Sequence, residues 1–118
     1  MPTISRVLLS GSTNGKPIKV AATATAGTTI HTAIAGTSSY DEVYAWVTNT
    51  DSSARTITIE FGGVTDPDQL IVKALSIPAN SPPIPILTGQ VLQNSLVIGV
   101  FASAANVVLV SGFVNRIA

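Results

Sequence analysis

Side chains able to carry acid–base or ligand chemistry are few in this sequence: one histidine, His31, six carboxylates and no cysteine. Nucleophilic hydrolysis needs a Ser, Thr or Cys beside a base and a donor for the developing oxyanion. His31 is the only imidazole base, and no Gly-x-Ser-x-Gly elbow positions a serine for it. Two carboxylates suffice for a glycosidase, and Glu42 and Glu60 are a candidate pair if the strands carrying them lie side by side. Asp41 and Glu42 are adjacent in an extended run, so their side chains point to opposite faces and do not form a pair. Asp66 and Asp68 share a loop whose carbonyls could help hold a hard cation, but the further acidic ligands of a calcium loop are missing, and turn chemistry is the expectation. Without a second His or a Cys, His31 lacks the partners of a transition-metal set and reads as a packed or surface strand residue. Gly62-Gly63 alone is no phosphate-cradling motif. The expectation is no catalytic residue, no cofactor, no metal and no small-molecule substrate.

Tyr44 and Trp46 remain, two residues apart and therefore on one strand face. Exposed, they form a stacking platform for a sugar; in the usual case a tryptophan on a central strand belongs to the core.

The elements that position these groups read as strands throughout. Tyr40 to Gly63 holds two alternating runs, Val43/Ala45/Val47 and Ile57/Ile59/Phe61, around a polar Thr-Asp-Ser-Ser break, and predicts a β-hairpin. Further strands are predicted at 6–10, 18–25, 28–35, 69–77, 86–92, 96–101 and 107–114. Asn14-Gly15 is a strong turn signal, since both residues tolerate positive φ. Four prolines within 78–85 exclude a central strand and predict an extended edge or crossover. No helical period appears. About eight strands at spacings near ten residues predict an all-β fold, a single-domain antiparallel β-sandwich or jelly-roll-like arrangement over 1–118, with a short N-terminal arm at about 1–5.

Composition narrows the classes of partner. Charged residues make up only 10% of the chain, against about 25% in typical soluble proteins. None occurs between Lys73 and Arg116, which predicts that this half of the sequence is covered in an oligomer or a larger assembly. Six basic and six acidic residues cancel, leaving no field for phosphate backbones, so nucleic acid is not an expected partner. Val7–Leu9 is too short for a signal-peptide core. The uncharged stretch 96–114 approaches the length of a membrane span, but its valines and its interruption by Gly99, Ser103, Asn106, Ser111 and Gly112 predict two buried strands and no membrane partner.

At VYAWVTNTDSSARTITIEFGG, LSIPANSPPIPI and NVVLVSGFVNRI the sequence resembles small β-sandwich virion structural proteins of tailed bacteriophages, most of all capsid decoration (cement) proteins. That resemblance implies a non-enzymatic homo-oligomer, commonly a trimer, assembled in the bacterial cytoplasm. It would reside in the virion and clamp neighbouring copies of the major capsid protein. Contacts with protomers or capsid are expected from the N-terminal arm with Pro2, Ile4 and Arg6, from the loop with Asn80, Pro82, Pro83 and Ile84, and from the edge near Arg116. A tail, fibre or baseplate component, and a carbohydrate-binding β-sandwich module, are the alternatives.

Overall fold

The structure, a computed structural model, describes residues 3–118. Nine strands run in the order β1 (Ile4–Leu8), β2 (Ile18–Lys19), β3 (Thr28–Thr32), β4 (Tyr40–Asn49), β5 (Arg55–Phe61), β6 (Leu70–Ile77), β7 (Ile84–Leu92), β8 (Val97–Ala102) and β9 (Val108–Ile117). Sheet A has the order β1-β9-β4-β7, with β2 continuing the β1 side of β9; sheet B has the order β3-β8-β5-β6, and every pairing is antiparallel. With β2 set aside, this interleaving of two four-stranded sheets is the jelly roll, so the sandwich predicted from spacing is present in that specific form.

The anticipated hairpin is not. β4 and β5 belong to opposite sheets, and the only strands adjacent in sequence that pair with each other among the described residues are β5 and β6. Alternation reports which side chains share a face, and it is equally satisfied by two strands that face each other across a core. Here Val43, Ala45 and Val47 point inward from sheet A while Ile57 and Ile59 point inward from sheet B, and all five are buried. The segment between them is an arch locked by Asn49. Its buried amide nitrogen donates to the carbonyls of Ser53 (3.0 Å), Pro78 (3.1 Å) and Ile77 (3.3 Å), while its oxygen accepts from the Asp51 amide (3.0 Å). Four polar groups that water would otherwise have to reach are thus satisfied by one side chain.

The stretch 96–114 becomes β8 and β9, each flanked on both sides by other strands. Their inward side chains Ile98, Val100, Val108, Val110 and Val114 are buried, and β-branched residues suit such a doubly covered pleat. β4 and β9 approach closely at Gly112, where a Cβ would overlap the Tyr44 carbonyl and lie 2.9 Å from Ala45 Cα. Asn14 and Gly15 take φ of 56° and 83°, as the turn reading requires.

Edges are irregular everywhere. β7, the proline-bearing edge of sheet A, slips register twice against β4; β6 carries Ala74 at φ 50°; β3 slips between Thr29 and His31; and the remaining edge is divided between β1 and β2. Ile18 to Thr25 was expected as one strand, but only Ile18–Lys19 pairs in a ladder, after which the small residues 21–27 lead across to sheet B.

Candidate functional site

Two places hold side chains that the core does not explain: a buried polar network between the sheets, and the outer face of sheet A.

The network joins His31 of β3, Asp41 of β4 and Arg116 of β9. Asp41 is fully buried, and its carboxylate accepts from His31 Nε2 (2.7 Å), the Ile34 amide (3.1 Å), Arg116 Nε (2.8 Å) and Arg116 Nη2 (3.0 Å). The Ser10 amide donates to His31 Nδ1 (3.0 Å), which fixes the lone pair on that nitrogen and the proton on Nε2. Burial pushes the Asp41 carboxyl up, but the hydrogen bonds from Arg116 and His31, the Arg116 charge and the Ile34 amide outweigh it and hold the group below its ordinary value. The same bond raises Arg116. Both imidazole nitrogens are committed and the ring is inaccessible, so this arrangement ties sheet A to sheet B and presents no base to a substrate.

Strand placement separates the remaining candidates for chemistry. Glu42 lies on the outer side of sheet A and Glu60 on the outer side of sheet B, so the two carboxylates considered as a pair face away from each other. Glu60 is buried under the segment before β3, accepting from the Gly27 amide (2.7 Å) and the Thr25 hydroxyl. Asp66 receives Lys73 Nζ on both oxygens (2.8 and 3.1 Å). Among the described residues no three His, Cys, Asp or Glu side chains group as a metal set would.

The outer face of sheet A is ordered in rows by its register. Ile4, Ile117 and Tyr40 form one row; Arg6, Asn115, Glu42 and Val91 the next; Leu8, Phe113, Tyr44 and Thr88 the third; Ser111, Trp46 and Pro85 the fourth. Four of the six aromatic residues, Tyr40, Tyr44, Trp46 and Phe113, are thus on this side. Trp46 is half-buried on the outside, which corrects its expected place in the core. The reason is parity: Val43, Ala45 and Val47 already fill the inward positions of β4, so Tyr44 and Trp46 must point outward.

The rings stack on one another across the strands. Arg6 Cζ lies 4.4 Å from the Phe113 centroid, Phe113 and Tyr44 are 5.0 Å apart at 16°, and Trp46 is 6.0 Å from Phe113 at 30°. On the β7 side Tyr44 packs over Gly89, where a Cβ would sit 3.3 Å from Tyr44 Cζ; φ at that glycine is 107°. Arginine, two rings and bare backbone therefore make one continuous stack, with ring faces turned to each other and ring edges turned outward. Around it Ile4, Leu8, Tyr40 and Val91 are among the most exposed large apolar side chains.

The expected contact residues do not converge. Ile4 and Arg6 join the face just described. Asn80, Pro82 and Pro83 are exposed and Ile84 half-buried beside the far end of β4, where the Ser81 amide bonds to the Asn49 carbonyl. Along β4, Arg6 is level with Glu42 and Ile84 with Val47, five residues further on, about 17 Å. Arg116 is engaged with buried Asp41 instead of offering a free edge contact. Pro2 lies outside the described residues. Phe113 escaped the sequence reading, although the inward alternation of Val108, Val110 and Val114 already placed it outward.

No protein-family model, no curated protein and no solved structure matches this chain.

Proposed function

We propose that this protein is a non-enzymatic structural component of a phage virion, a capsid decoration protein that works as a homo-oligomer and stabilises the shell by bridging neighbouring copies of the major capsid protein. Jelly rolls serve viral shells and lectins alike, so the fold does not choose between assembly and sugar binding. The observation that carries the proposal is the outer face of sheet A, where apolar and aromatic side chains are concentrated on a surface that a free monomer would leave wet. A sugar platform needs an open ring face. Phe113 is covered by Arg6 and Tyr44, and Tyr44 by Phe113 and Gly89, which favours a protein partner that packs against ring edges. The uncharged stretch 74–115 supplies most of β9, one of the two inner strands of that face, in keeping with an assembly role.

The test is mixing the purified chain with undecorated phage shells and sedimenting the particles. Co-sedimentation that saturates at a stoichiometry related to the shell symmetry supports decoration. A chain that stays in the supernatant at all concentrations overturns it and favours a tail or fibre role.

A further inference from the structure

We propose that two copies of this chain associate through the outer faces of sheet A, about a two-fold axis lying along β9; the inference rests on the homo-oligomeric reading above and names its interface. Charge is the first argument. In the second row Arg6 and Glu42 lie on the two strands flanking β9, one on each side of Asn115. Rotation about an axis along β9 sets Arg6 of each copy over Glu42 of the other and Asn115 over its equivalent, so opposite charges meet twice. Lys19 stands apart from these pairs, beside Leu109 near the far end of the face.

Shape is the second argument. In the third row the same rotation places Leu8 over Tyr44 and Phe113 over its equivalent, bringing ring edges against an aliphatic side chain and against each other. In the fourth row Ser111 has no strand partner on its outer side, because β1 ends at Leu8 opposite Phe113 and β2 begins at Ile18 opposite Val110. The rotated Trp46, the bulkiest side chain on the face, falls over that gap.

Area limits the strength of the contact. With the axis along β9, β1, β9 and β4 overlap their equivalents while β7 lies outside; three strands spaced about 4.8 Å over about 33 Å give on the order of 480 Å² per copy, below the about 800 Å² per partner of a standard interface and in keeping with a pair that dissociates on dilution. Net charge is zero, so no long-range repulsion keeps copies apart. The arrangement is a pair, and it departs from the trimer that the resemblance implies.

Light-scattering mass of the purified chain, with Trp46 emission followed over a dilution series, tests this directly. The expected mass is twice the 12.1 kDa of one chain, with emission shifting to the red as the pair dissociates. Arg6→Glu and Glu42→Arg should each weaken pairing about a hundredfold, because like charges then face each other, and the double swap should restore it. Phe113→Asp should give a monomer with an unchanged circular dichroism spectrum; if that variant does not fold, Leu8→Asp, at a residue 55% exposed, makes the same test.

Three chains per particle, or a pair that tolerates both aspartates and both charge reversals, overturns the proposal while leaving a homo-oligomer. A monomer that still co-sediments with shells overturns pairing and leaves decoration standing. A monomer that does not co-sediment overturns both. An oligomer of unchanged mass that loses its shells on Phe113→Asp assigns this face to the capsid protein instead.

Discussion

Replacing Asp41 by asparagine keeps the shape of the side chain and removes its charge. The carboxylate accepts four hydrogen bonds in a fully buried position. An amide nitrogen in place of Oδ2 would face the His31, Ile34 and Arg116 donors together, and in place of Oδ1 it would face Arg116 Nε–H. One donor–donor clash is unavoidable either way, and Arg116 loses its counter-charge. Breaking a buried ion pair by removing one partner costs about 3–5 kcal/mol. Arg116 is 31% exposed and regains some water, so the lower end, about 3 kcal/mol, is the expectation. Against a typical total stability of about 5–15 kcal/mol, that loss should lower the melting temperature on the order of 10 °C.

Urea unfolding followed by circular dichroism at pH 7 measures it, with an unchanged m-value required for the comparison. A pH series adds the sign. Because the folded state holds Asp41 below its ordinary value of 3.8, its contribution is complete above that value and disappears as pH falls through the lower, folded one. The gap between wild type and Asp41→Asn should therefore be constant near neutrality and close below about pH 4. A loss under about 1 kcal/mol at pH 7, or a gap that widens in acid, would refute the view that this network holds the sheets together.

Three further substitutions separate inside from outside. Trp46→Ala, measured by urea unfolding of the dilute chain, should cost about 1–2 kcal/mol, below the 3–5 kcal/mol of a buried aromatic; a larger loss would put the indole back in the core. Asn49→Ala strands the Ile77 and Pro78 carbonyls and frees the arch, so a loss of about 2–3 kcal/mol is expected from the same measurement. Gly112→Ala drives a methyl into the β4 backbone; it should lower stability by at least about 2 kcal/mol, read as a depressed thermal midpoint, and a neutral result would mean the strands can separate there.

Much of this fold was legible because side-chain parity is a local property. Val43, Ala45 and Val47 against Tyr44 and Trp46 mark two faces from sequence alone, and the prolines of 78–85 place their segment at an edge, where β7 indeed lies. Pairing is not local. The same parity suits a hairpin and an arch, and the polar break at 50–53 does not announce which, since the deciding bonds run from Asn49 to carbonyls up to 29 residues away. His31 read as a packed or surface strand residue and is packed, but its partner Asp41 is bound in turn to Arg116, 75 positions further on, which leaves no motif. Trp46 was misplaced by a general preference for buried tryptophan, although the parity of its own strand contradicted it.

The irregular edges bear on what happens when such a chain is crowded. With so few charges, this protein has little electrostatic protection against sticking to itself, and an unbroken outer strand would invite addition of another chain into an endless cross-β ladder. Each exposed strand here is slipped, kinked, divided or blocked by proline, so a straight incoming strand finds no continuous row of donors and acceptors to match. Association is left to the sheet faces, where two-fold contacts close on themselves and stop at a defined size. Concentrated samples should therefore plateau at a fixed particle mass and stay dark to thioflavin, with sparse charge tolerated because growth has no open end.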